Sequence, residues 1–180
     1  YSALFGLLNA VGCTDPYAFD WQESVLDVEN WMRTFAMNDL AANWDSFGNP
    51  GGKNTFLFKP DQGVTNQLSA GGLPDHGQCR LMSWDFDVGL GVGGAFPDAP
   101  LFAVNDPAVA HLFEQPGWLR AYWRAMEEAC QGFFTESVLT PRIENRYAAL
   151  ATVGAAPPTG ILEFVNQRRS FLTNKLAAAQ

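Results

Sequence analysis

Two hydrophobic periods alternate along this chain, and their order limits the folds open to it. Val28, Trp31, Met32, Phe35 and Leu40 recur at helical spacing. Thr55-Phe56-Leu57-Phe58 and Cys79-Arg80-Leu81-Met82-Ser83-Trp84 are short runs that read as strands. From Asn105 to the C-terminus helical spacing returns. The pattern predicts a mainly α protein with one small antiparallel β-hairpin, an α+β arrangement.

The remaining elements follow from local signals. Ser2 to Val11 reads as a helix, and Gly12 to Trp21 as loop around Pro16. Asp27 is the expected N-cap of the next helix, with Glu29 and Asn30 in its first turn and its end near Trp44. Ser46 to Gly52 is turn-rich, and Pro60 to Gly77 and Val88 to Pro100 are long glycine-containing connections. Asp106-Pro107 is a cap followed by proline, as a helix start prefers. Helices are expected from Gly117 to about Gly132, from Thr135 to about Ala151 with a kink or fresh start at Pro141, and from Gly160 to Ala179 after an Ala155–Pro158 linker. Trp31, Phe35, Trp118, Trp123, Phe164 and Leu172 are expected in the core. With no internal repeat, residues 1–180 are expected to form a single domain.

Composition narrows the partners. The chain is 47% hydrophobic, which supplies a core. Its net charge of −8 argues against nucleic acid and acidic membranes. No apolar run reaches the ~18 residues of a membrane span. The start at Tyr1, without Met or a basic segment, suggests a fragment or processed product. Cys13, Cys79 and Cys130 form no C-x-x-C pair, and their redox state stays open.

The candidate chemistry lies in Asp45, Asn54, Asp85 and Asp87. Asn43-Trp44-Asp45 falls at an expected helix C-terminus, where negative charge is unfavourable. Asp85 and Asp87 end an apolar strand, where unpaired carboxylates are costly, and a continuing strand would point both to one side. Such oxygens suit Mg²⁺ or Mn²⁺ bridged to phosphate. An Asp in a loop, an Asn before a strand and an Asp after the next strand also follow the order of protein-kinase catalytic elements.

These residues carry a family resemblance. Glu29-Asn30-Trp31, Asn43-Trp44-Asp45-Ser46-Phe47-Gly48, Asn54-Thr55-Phe56-Leu57-Phe58 and Leu81-Met82-Ser83-Trp84-Asp85-Phe86-Asp87 resemble the CotH kinase-like, or spore coat protein H, family. Asn166-Gln167-Arg168-Arg169-Ser170-Phe171-Leu172 resembles the end of that domain. The resemblance runs from about Asp27 to the C-terminus. It implies the C-lobe-like part of an atypical protein-kinase fold, with ATP and Mg²⁺ or Mn²⁺ as cofactors. It also implies an exported or coat protein as Ser/Thr acceptor and an extracellular or cell-surface location. By position, Asp45 is the catalytic aspartate, Asn54 a nucleotide-side and metal ligand, and Asp85 the principal metal ligand. Asp87 is a secondary metal ligand or structural, and Asn43 orients the loop or contacts the cofactor.

Two departures accompany it. The stretch from Asp45 to Asn54 is long for a kinase, which makes Asn49 a rival to Asn54. Only a short helix and loop precede Asp27, so the N-lobe is expected outside this chain, as a partner segment of the same protein. Lys53, Lys59 and Arg80 lie near the site in sequence. Gly89, Gly91, Gly93 and Gly94 do not form a P-loop, because they follow an acidic strand and no lysine-bearing helix comes after them. Phe96 stands where a calcium loop from Asp85 needs Glu, and His76 and His111 have no metal spacing. The alternatives are a non-catalytic extracellular binding module and a nucleotide-sugar transferase using Asp85 and Asp87 as a metal clamp.

Overall fold

A computed structural model describes residues 2–15, 17–49, 53–59, 77–102, 106–156 and 159–179. In chain order it contains α1 (Ser2–Gly12), α2 (Phe19–Val25), α3 (Val28–Ala41), β1 (Thr55–Phe58), β2 (Arg80–Ser83), α4 (Pro107–Ala110), a 3-10 turn (His111–Glu114), α5 (Pro116–Gln131), α6 (Glu136–Thr152) and α7 (Ile161–Ala179). The described residues are thus mostly helical, with a two-stranded antiparallel sheet. The Pro60–His76 part of the long connection, Pro50–Gly52 and the Pro157-Pro158 linker lie outside them, as does His76.

Helix α3 organises the molecule. The Asp27 carboxylate accepts from Asn30 N at 3.0 Å, capping the helix as expected, and also pairs with Arg80 Nε at 2.9 Å. Ala42, at φ 49°, ends the helix in a left-handed residue, two positions before Trp44. Trp31 and Phe35 bury their rings against α5, and Phe35 lies 5.2 Å from Phe113. Trp118, Tyr122 and Met126 supply the α5 face. Phe164 and Leu172 are buried from α7, whereas Trp123 remains partly exposed.

Helix α2 lies partly inside the expected loop. It is short and buries only Gln22, whose amide donates to Ala10 O and Cys13 O at 2.9 Å each. A polar residue holding backbone carbonyls leaves no apolar stripe to be read. Helix α6 runs through Pro141 as a single helix. The three cysteines are free. Among the described residues no helix is long and apolar enough to cross a membrane.

Candidate functional site

The hairpin is bound to α3 along one edge. Asn30 Oδ1 accepts from Leu81 N at 2.7 Å, Trp31 Nε1 donates to Cys79 O at 2.8 Å, and Asn38 Nδ2 donates to Ser83 Oγ at 3.2 Å. Strand β2 therefore lies along the helix, with its outward Leu81 N–H satisfied by Asn30. The register pairs Thr55 with Ser83 and Phe58 with Arg80. One step further, Trp84 N donates to Asn54 O at 3.0 Å. Asn54 and Asp85 are thus neighbours at one end of the hairpin, and both are left-handed, at φ 59° and 58°.

Asp45 comes to the same end. It lies in the loop after α3, with its side chain 17% exposed. Asn54 Nδ2 donates to its Oδ2 at 3.0 Å, and Lys53 Nζ stands 3.4 Å from its Oδ1. Behind it runs a chain of buried polar groups. Ser46 Oγ donates to Asn43 O at 2.9 Å, Asn43 Nδ2 reaches Asn38 Oδ1 at 3.3 Å, and Asn38 reaches Ser83. The Asp45 loop and the strand leading to Asp85 are joined through Asn38. In the sequence Asn38 is one more polar position on α3, and its burial, at 5% exposure, sets it apart. The rival Asn49 spends its amide on Ser46 Oγ at 3.0 Å.

Two expectations about the acidic pair are overturned. Strand β2 stops at Ser83, and the left-handed turn at Asp85 breaks the alternation, so the pair does not extend a strand. Asp87 opens the turn that follows. Nor do the carboxylates sit beside a buried strand. Phe56, Phe58, Met82 and Trp84 form an exposed outer face, and Asp85 and Asp87 are themselves exposed. A two-stranded hairpin has two faces, and here even the inner one buries Leu81 while leaving its partner Leu57 exposed, so desolvation does not force a cation onto these groups. Among the described residues no three His, Cys, Asp or Glu side chains converge on one metal position.

The glycines after Asp87 have a packing role. Leu90 N donates to Ala41 O at 2.7 Å, and Trp44 Nε1 to Gly93 O at 3.2 Å. A Cβ on Gly93 would come within 2.5 Å of the Val88 Cβ and 3.0 Å of Trp44 Nε1. The turn carrying Asp85 and Asp87 is thereby pressed onto the end of α3 and the Asp45 loop. Lys59 and Arg80 lie at the opposite end of the hairpin, and Arg80 is engaged with Asp27. His111 is buried in the 3-10 turn, away in sequence from these residues.

The chain is thus a helical body with one hairpin, and Asp45 and Asn54 meet at its open end beside Asp85. The model of the family described as CotH kinase protein matches residues 1–161, and the chain belongs to that family. The match takes in the 26 residues before Asp27 and stops before Asn166–Leu172. No curated protein and no solved structure gives a significant match.

Proposed function

We propose that this chain supplies the acidic, C-lobe-like part of a kinase site that transfers phosphate from ATP to Ser or Thr of an exported or coat protein. On this reading residues 1–180 are one unit, which works with an N-lobe of the same protein at a surface or extracellular location. The observation that carries it is the Asn54–Asp45 hydrogen bond, made by a residue whose own carbonyl is paired with Trp84 beside Asp85. Asp45, Asn54 and the backbone leading to Asp85 come to one hairpin end, in the chain order of protein-kinase catalytic elements.

The donor set fits a hard cation. With Nδ2 turned to Asp45, Asn54 keeps Oδ1 as an oxygen donor, and Asp85 adds an exposed carboxylate, with Asp87 next along the chain. A bound Mg²⁺ or Mn²⁺ would neutralise phosphate charge. Asp45 would take or orient the proton of the acceptor hydroxyl. Asn43 acts from behind, holding the loop through Asn38.

One observation favours the second reading, a non-catalytic binding module that keeps the fold: both Asp45 oxygens already have partners within the chain, Asn54 and Lys53. Calorimetry with Mn²⁺ and a non-hydrolysable ATP analogue, and turnover on the complete protein, separate the two. The kinase reading expects Asp85→Ala to abolish metal–nucleotide binding. It expects Asp45→Asn to keep that affinity and lower turnover about 10²–10⁴-fold. Equal loss of affinity in both variants would refute this division of labour, and undetectable phosphotransfer by the complete protein would favour the module.

A further inference from the structure

Helix α6 differs from the other long helices in that none of its 17 residues is buried. A surface helix of this length ordinarily hides an apolar stripe. Leu139, Ile143 and Tyr147 form such a stripe, spaced four residues apart. They line a cleft of about 690 Å³, together with Leu90 and Ile161 at the start of α7. Arg142 and Arg146, also four apart, join Asn145 along the polar margin of the stripe. Glu144 falls on the far side of the helix.

The two guanidiniums form no ion pair or hydrogen bond among the described residues. The Tyr147 hydroxyl is enclosed, and it too lacks a partner there. In a chain of net charge −8 this margin is a local reversal of sign. We infer that the cleft between α6 and α7 docks an acidic, apolar-anchored segment of a partner polypeptide. The volume lies within the ~300–1,000 Å³ of typical binding clefts. The cleft is more open than enclosed, which suits a row of side chains over an engulfed small molecule. Apolar anchors would meet Leu139, Ile143 and Ile161. Carboxylates would accept from Arg142 and Arg146. Leu90 lies three residues beyond Asp87, at most about 11 Å along the chain, so a docked segment would be held near the candidate site. The docking itself does not rest on phosphotransfer.

Fluorescence anisotropy on the full chain tests this with a labelled helical peptide of leucines at four-residue spacing separated by glutamates. The controls are the same peptide with lysine for glutamate, and phosphatidylserine vesicles. Saturable binding of the acidic peptide is expected, with little binding of the basic one. Arg142→Glu with Arg146→Glu should weaken binding at least about tenfold, as should Ile143→Glu, because charge-assisted contacts and the apolar floor are lost separately. All three positions lack buried side chains, and circular dichroism is the check that the variants fold. Absence of saturable binding, equal binding of the basic peptide, indifference to the arginine pair, or binding to the vesicles alone would each overturn the inference.

Discussion

The amide of Asn54 holds Asp45 while its own backbone stays left-handed, a conformation asparagine tolerates better than most residues and glycine best. This separates conformation from contact. Asn54→Gly keeps the backbone and removes the amide, whereas Asn54→Ala removes the amide and adds strain. Asp45 retains Lys53 in both, so the glycine variant should lose on the order of 1 kcal/mol and the alanine variant about 1–2 kcal/mol more. Denaturant unfolding of the two checks this. An alanine variant as stable as the glycine variant would show that the left-handed backbone imposes no requirement. Asp85 has the same backbone sign, and a period-two pattern does not reveal that the strand ends two residues before it.

Among the elements, α3 and α5 carry the core because each places its large apolar residues on one face and each face meets the other. Phe35 is 3% exposed and packs between Trp31 and Phe113. Phe35→Ala should cost about 3–5 kcal/mol, and Trp123→Ala distinctly less, because Trp123 keeps part of its surface in water. Equal losses in urea unfolding would contradict this assignment of the core. Element existence was legible wherever a cap or stripe marked it, as at Asp27 and Asp106, whose side chains do accept backbone hydrogen bonds. Helix α2 carried neither mark. The exposure of the hairpin's outer face was hidden for a different reason: Phe56, Phe58, Met82 and Trp84 have core-like composition, and which face is covered depends on where α3 lies.

Across the whole molecule, Arg168 of α7 ties distant parts together. It is fully buried, donating to Pro97 O at 3.0 Å, Ala99 O at 2.5 Å and Asp39 O at 2.6 Å. Beside it, the Asp39 carboxylate accepts from Tyr122 Oη at 2.6 Å and Phe102 N at 3.2 Å. Burial raises the Asp39 pKa to about 6, against the pull of Tyr122, Phe102 and Arg168. Burial also lowers the Arg168 pKa and is the first cause of the raised Tyr122 pKa. Because the folded carboxyl binds its proton more tightly than the unfolded one, near 3.9, its contribution is largest below about pH 4. That contribution is lost as pH rises through about 6, a change on the order of 3 kcal/mol. Asp39→Asn should therefore gain stability relative to the native chain between pH 4 and 7, read as the difference between their melting temperatures. A difference constant across that range would remove Asp39 as the source.

By itself the sequence determined the helical stripes, the caps, the hairpin and the chain order of Asp45, Asn54 and Asp85, because these depend on neighbours within a few residues or on order alone. Tertiary structure decided that Asn54 reaches Asp45, that Asn38 joins their loop to β2, that Asp85 and Asp87 stand in solvent, and that Asp39 and Arg168 share one interior. Each of those contacts spans elements whose relative placement is set by packing α3 against α5, the hairpin and α7, and no local pattern encodes that placement.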